Sequence, residues 1–255
     1  MSERKIAFVA GKSPSARSAL KDLTAVYDSV EPEKADVIVA LGGDGFMLRT
    51  LHQYMHLSIP VFGMNRGSVG FLMNEFRKDD LLPRLKRTES FEIHPLRMEA
   101  ISKNGKKHEA IAFNEVSLFR ETGQAAHIRV SVDNVVRLEE MVCDGLLIST
   151  PAGSTAYNMS AYGPILPLGA GVLALTAISA YRPRRWRGAI LPHTATVDFD
   201  IKDDKKRPVG VSADFNEFRD VVKVRVYEDH TLFSKVLYDP EHNLEERILQ
   251  EQFIG

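Results

Sequence analysis

Cysteine is nearly absent. Of 255 residues only Cys143 is one. A lone thiol closes no internal disulfide and builds no cysteine zinc site. A surplus of either charge is missing as well, since 33 Lys and Arg face 34 Asp and Glu. General nucleic-acid binders carry a basic surplus, so no nucleic-acid partner is expected. There is no long apolar run. The least charged stretch, Met141 to Tyr181, is broken by Pro151, Pro164 and Pro167 and by several glycines, which excludes a spanning helix there. The opening Met-Ser-Glu-Arg-Lys lacks the apolar core of a signal peptide. These absences predict a soluble, cytoplasmic chain with no membrane partner. The remaining composition is ordinary, 44% hydrophobic and 26% charged, which excludes disordered, collagen-like and coiled-coil classes. At about 150 residues per domain, the length suits one large or two small domains.

Strands and helices alternate through the first third. Lys5–Ala10, Ala35–Leu41 and Ile59–Met64 are short apolar runs that read as strands, and Ser15–Val30 and Phe46–His56 read as helices. This alternation predicts a parallel, Rossmann-like α/β sheet with helices on its faces. Beyond Phe91 the rhythm changes. Ile111–Phe119, Ile128–Val132, Leu146–Thr150, Ala189–Pro192, Ala195–Ile201, Pro208–Ala213, Val221–Tyr227 and Thr231–Leu237 read as closely spaced strands. Asn104-Gly105 and Asp133-Asn134 supply turn chemistry between them. A β-sandwich is expected here, interrupted by helical patches at Ser154–Ala161 and Ala170–Ile178. The predicted division is an α/β domain over 1–92, a β-rich domain over 93–239, and a closing helix over 240–255 that rejoins the first.

Several familiar motifs fail on inspection. Gly11-Lys12-Ser13 ends like a phosphate-binding P-loop, but Ile6 occupies the required glycine position. Gly169-Ala170-Gly171 opens a dinucleotide-like pattern without a clean preceding strand. His52 and His56 are four apart without the Glu of a metalloprotease helix. No metal-ligand set is read from the sequence.

Two constellations carry chemistry. The first is Leu41-Gly42-Gly43-Asp44-Gly45, where a predicted strand ends and a helix begins. Ligands of open α/β sheets bind at the carboxyl ends of strands. Glycines there let backbone N–H groups approach a phosphate, and the helix N-terminus favours an anion. Asp44 is an anion among those donors. It reads either as a helix N-cap or as a base that takes a proton from a hydroxyl. The second runs from Asp144 through Thr150-Pro151-Ala152-Gly153-Ser154-Thr155-Ala156-Tyr157-Asn158 to Ser160. It reads as a strand, a turn that bares the backbone, then a helix opened by small hydroxyl residues, a density of polar groups that suits a nucleotide. Asn114-Glu115 interrupts an apolar run, and one of the two must face inward or toward a site, because strand neighbours point to opposite faces.

In this order and spacing, Gly-Gly-Asp-Gly, Phe113-Asn114-Glu115 and the Asp144–Ala161 element resemble the NAD kinase family, and the resemblance covers nearly the whole chain. It implies an N-terminal α/β domain, a C-terminal β-sandwich, and phosphorylation of the adenosine-ribose 2′-hydroxyl of NAD by ATP to make NADP. Some members of that family also use polyphosphate. The implied cofactor is a divalent cation, Mg²⁺, carried by ATP. The implied base is Asp44, with Gly43 and Gly45 lining the approach and Phe71 walling the NAD pocket. Asn114, Glu115, Asp144, Ala152, Thr155, Ala156, Tyr157 and Ser160 match the nucleotide-binding positions. A homodimer or homotetramer is also implied. Two positions depart from the family pattern: Phe46 stands where Thr or Asn is usual, and Tyr162 where Gly is usual. The alternatives are a related kinase acting on another alcohol and a non-catalytic NAD(P)-binding regulator. The run Arg182–Arg187 reads either as a solvated loop or as a basic rim with Trp186 packed beneath it.

Overall fold

The computed structural model describes residues 4–67, 70–184 and 186–240. They fall into two compact units. Among the described residues, the first contains those up to Ile93 and Phe233–Pro240, and the second is His94–Leu232.

The first unit begins with β1 (Ile6–Ala10), α1 (Pro14–Thr24), β2 (Val37–Gly42), α2 (Asp44–Tyr54), β3 (Val61–Asn65), α3 (Leu81–Arg87) and β4 (Glu89–Ile93). β1, β2 and β3 are parallel neighbours. Every residue of β2 is buried, as a parallel strand covered on both faces requires. Helix α1 starts where its chemistry dictates. Ser13 Oγ accepts the Ala16 N–H at 3.2 Å, and Pro14 occupies the first turn. The helix ends at Thr24 rather than at Val30, because residues 29–30 return to β1. The Phe8 N–H donates to Ser29 Oγ, and the Val30 N–H to the Ile6 carbonyl.

The second unit is β5 (Leu96–Ser102), β6 (Lys107–Ala112), β7 (Glu115–Arg120), β8 (Ala126–Val132), β9 (Val135–Cys143), β10 (Gly145–Ser149), α4 (Tyr157–Ser160), β11 (Val172–Ile178), β12 (Ala189–Pro192), β13 (Val197–Lys202), β14 (Val209–Ala213) and β15 (Asn216–Glu228). Its strands form one antiparallel sheet that curls through β15. The first half of that strand pairs with β14, and the second half with β5 and β13. The sheet thereby becomes two layers around one core, in which Leu118, Ile148 and Leu175 join Met98, Ile128 and Phe199. This is the α/β-plus-β-sandwich class expected from the sequence. Asp133 and Asn134 both have positive φ and close the β8–β9 hairpin, as a primed turn demands.

Four local readings need correction. Ala170–Ile178 is not a helix: Val172–Ile178 is β11, paired with both β10 and β12, and pairing on both edges overrides the helix propensity of Ala and Leu. The Ser154–Ala161 patch is mostly turn, with only Tyr157–Ser160 helical. Ile111–Phe119 is two strands broken at Phe113-Asn114. The strand read at Thr231–Leu237 is β16 (Ser234–Tyr238), which lies between β3 and β4 of the first sheet rather than with the β-rich unit. Buried Asn74 fastens it there. Its Nδ2 donates to the carbonyls of Gly63 and Leu237, both at 3.0 Å, and its Oδ1 accepts the Asp239 N–H. The closing helix at 240–255 lies outside the described residues beyond Pro240. No helix among the described residues is long and apolar enough to cross a membrane.

Candidate active site

In the first unit the chemistry gathers at the carboxyl end of β2. Gly43, with extended backbone, is the N-cap of α2, and Asp44 is the first helical residue. The N-cap reading of Asp44 is therefore wrong. Its carboxylate reaches out of the helix instead. The N–H groups of Phe71 and Leu72 donate to Oδ2 and Oδ1 at 2.8 and 3.0 Å. Two backbone donors from adjacent residues fix the plane of the carboxylate, which stands in the first turn of α2. A Cβ on Gly45 would meet nothing within 4 Å, and one on Gly43 only Gly67 Cα at 3.8 Å. Fold packing does not demand glycine at either position, and their bareness leaves backbone open beside Asp44. Asp44, Gly43, Gly45 and Phe71 thus lie together.

In the second unit, Asn114 lies in the break between β6 and β7, and Glu115 is the first residue of β7. Thr150 Oγ1 donates to the Phe113 carbonyl at 2.6 Å and accepts the Gly153 N–H at 3.0 Å, while the Thr150 N–H donates to the Asn114 carbonyl. The Pro-Ala-Gly turn lies flat on this backbone. A Cβ on Gly153 would stand 2.2 Å from Asn114 O, so only glycine fits. Beneath the break, Asp214 accepts the N–H groups of Phe113 and Asn114 at 2.8 and 3.0 Å. Sequence reasoning missed Asp214. The available signal was an acid ending the apolar run Val209–Ala213, and its φ of 49° suits the left-handed turn that Asp tolerates.

This clamping leaves two buried acceptors, Asn114 Oδ1 and Glu115 Oε2, with no hydrogen-bond partner among the described residues. Buried polar atoms are normally paired, so an incoming donor is the natural completion. Burial pushes the Glu115 carboxyl up to about 8, with the Asp214 charge adding to it. Glu115 and Tyr157 line a cavity of about 550 Å³ together with Ser117, Phe119 and Arg120. The Tyr157 ring lies 5.6 Å from that of Phe119. Burial raises the Tyr157 hydroxyl, and the charges of Glu115 and Asp144 raise it further. Asp144 joins this group through Arg120, whose Nε donates to Oδ1 at 2.5 Å.

The remaining predicted residues lie in or after the 151–156 turn. Ala152 and Thr155 are buried, Ala156 and Tyr157 half-buried, and Ser160 exposed. Ser154 and Thr155 do not cap α4, whose N-cap is Ala156. Ser154 Oγ instead donates to the Pro151 carbonyl and accepts the Leu166 N–H. Asn158 is committed to the fold. Its amide donates to the carbonyls of Ser154 and Pro164, and its oxygen accepts from Thr176 Oγ1 at 2.7 Å.

The chain matches the ATP-NAD kinase N-terminal domain over residues 1–90 and the ATP-NAD kinase C-terminal domain over residues 113–232. It belongs to the NAD kinase family. An NAD kinase from Cereibacter sphaeroides (strain ATCC 17025 / ATH 2.4.3) is 55% identical over 254 residues, covering all of both chains. One from Rhizobium meliloti (strain 1021) is 54% identical, over 97% of this chain and 96% of the relative. Among solved structures, a yeast NADH kinase complexed with NADH aligns with a TM-score of 0.82 at 21% identity, over 98% of this chain and 87% of that one. An Archaeoglobus fulgidus NAD kinase in complex with ATP aligns at 0.73, also at 21% identity, over 98% and 100%. These two show a shared fold.

Both departures from the NAD kinase pattern have a physical setting. A Cβ on Gly42 would stand 2.6 Å from the Phe46 Cβ, and one on Gly11 3.5 Å from the ring. Phe46 thus fills the space two glycines leave at the ends of β1 and β2. Tyr162 has a φ of 61° and is 95% exposed. It occupies a left-handed position that suits the family's usual glycine. In the basic run, Arg182, Arg184 and Arg187 are exposed, and Trp186 packs on the core of the second unit. Arg185 lies outside the described residues.

Proposed function

We propose that this chain transfers the terminal phosphoryl group of ATP to the 2′-hydroxyl of the adenosine ribose of NAD, producing NADP. ATP enters as its magnesium complex. The observation that carries this reading is the Asp44 carboxylate, held in one plane by the Phe71 and Leu72 N–H groups beside bare Gly43 and Gly45. Asp44 accepts the hydroxyl proton as the oxygen attacks, and the helix N-terminus and open backbone receive phosphoryl oxygens. A positioned base contributes about 10²–10⁴ in rate. Alignment of donor and acceptor and neutralisation of charge supply the rest.

Nucleotide contacts come from the second unit. Asn114 Oδ1 and Glu115 Oε2 take donors from the ligand. A protonated Glu115 also has a proton to give, so the pair can match a group that is both donor and acceptor. Asp144 takes a ribose hydroxyl. Ala152, Thr155, Ala156, Tyr157 and Ser160 provide the surrounding wall, as they do in the family pattern. Polyphosphate serves as a second donor class for a cradle built of backbone amides. The enzyme works as a homodimer or homotetramer in the cytoplasm. Light scattering tests the assembly: a fully active species at the 28.5 kDa chain mass contradicts it. Purified protein with NAD and ATP·Mg²⁺, followed by an NADP-specific dehydrogenase readout, tests the activity. Absence of NADP under these conditions contradicts the reading.

A further inference from the structure

A second group of side chains converges in the β-rich unit. Glu228 ends β15, and His230 follows in the next turn. The turn that follows the strand brings the His230 ring back onto the Glu228 carboxylate. The intervening Asp229 points elsewhere and locks the turn. It accepts the N–H and hydroxyl of Thr231 at 3.0 and 2.6 Å and pairs with Arg97 at 2.6 Å. His193 follows β12, its own N–H bound to the Gly171 carbonyl. Nδ1 of His193 and Nδ1 of His230 approach the same oxygen, Glu228 Oε1, at 3.0 and 3.2 Å. The Glu228 side chain is only 8% exposed, while the two imidazoles are 41% and 43% exposed. His94 backs the group. Its Nδ1–H donates to the Leu232 carbonyl, and its ring lies 5.8 Å from that of His230.

We propose that His193, Glu228 and His230 bind a divalent transition-metal ion of the zinc class. Their three ligand atoms lie within 4.8 Å of one another. Zinc bonds of about 2.0–2.2 Å place tetrahedral ligand atoms about 3.3 Å apart, so the observed separations need little adjustment. Two imidazoles and one carboxylate are a borderline-soft set that favours zinc, cobalt or nickel over magnesium. On binding, both imidazoles shift their proton to Nε2, and the metal replaces the two protons that now bridge to Oε1. The half-exposed imidazoles leave room for water as a fourth ligand. The ion ties the loop after β12 to the end of β15.

The test is zinc titration of the untagged, chelator-treated full chain, with magnesium in excess and no nucleotide. Isothermal calorimetry and metal analysis read the stoichiometry, and thermal melts read the stabilisation. One ion per chain is expected, together with a zinc-dependent rise in melting temperature. His193→Ala and His230→Ala should each weaken binding at least tenfold and abolish that rise. Their metal-free melts show whether they are folded, and Glu228→Gln offers a milder variant. No zinc bound by the wild type, or equal binding by folded His193→Ala and His230→Ala, overturns the proposal and leaves a hydrogen-bonded His–Glu–His trio.

Discussion

Replacing Glu115 by Gln should make the stability of this chain less sensitive to pH, in a direction the structure dictates. In the unfolded chain the carboxyl titrates near 4.5, and in the folded chain near 8. Below about 4.5 it is neutral in both states and imposes no penalty. Between 4.5 and 8 the unfolded chain ionises while the folded chain holds its proton. Folding then loses about 1.4 kcal/mol per pH unit from this group. The loss reaches roughly 5 kcal/mol and levels off above pH 8. Glutamine is neutral throughout, so the variant escapes it. Any cost of burying the new amide is independent of pH. Melting temperatures of wild type and Glu115→Gln, measured without nucleotide from pH 5 to 9, isolate the effect, because every other titrating group is common to both. The variant's advantage should grow steadily to pH 8 and then stay constant. At about 2–4 °C per kcal/mol, the change across that range is on the order of 10 °C. A difference that does not vary with pH would refute the assignment of a buried, protonated Glu115.

Three further outcomes follow from contacts described above. Tyr162→Gly should stabilise the chain by about 0.5–1 kcal/mol, since it removes a left-handed non-glycine residue and the unfolded-state entropy it adds offsets only part of the gain. Thermal melts check this, and an unchanged or lower melting temperature contradicts it. Arg84→Ala should destabilise by about 3–5 kcal/mol, because it leaves Asp239 of the 2.5 Å buried ion pair unpaired. Denaturant unfolding reads that loss. Asn114→Ala should raise the KM for NAD with only a small effect on stability, at roughly 1–3 kcal/mol per lost ligand bond. A normal KM would show that Asn114 Oδ1 faces no ligand.

The parts of this fold set by local chemistry were legible in advance. Val37–Leu41 is apolar at every position and ends at two glycines, which reads as a buried parallel strand, and Asp133-Asn134 reads as a turn, although the strand it leads into, Val135–Cys143, is largely exposed over its first six residues and does not read as one. What was not legible depends on partners far along the chain. Nothing within Ser234–Tyr238 distinguishes a strand of the first sheet from one of the second, because its neighbours are Val61–Phe62 and Glu89–Ile93. Val172–Ile178 looked helical because Ala and Leu dominate it, and only pairing on both edges makes it a strand. In the candidate site, Asp44 stood out as an anion among glycines suited to a phosphate, and Asn114-Glu115 as polar residues that interrupt an apolar run. Asp214 did not, since its task is to hold the backbone of Phe113 and Asn114, about a hundred residues earlier. Asn158 was over-read for the converse reason: its three hydrogen bonds to the fold have no sequence signature.

The proposed reaction turns on Asp44 as the base, and one substitution probes that role. Asp44→Asn keeps the size of the side chain but cannot accept a proton from the ribose hydroxyl. The measurement pairs kcat, from the coupled NADP assay, with the Kd for NAD from calorimetry on the same preparation. kcat should fall by at least about 10², with the Kd within a few-fold of wild type. A kcat within a few-fold of wild type would contradict that role and reduce Asp44 to a fastener for the Phe71–Leu72 backbone.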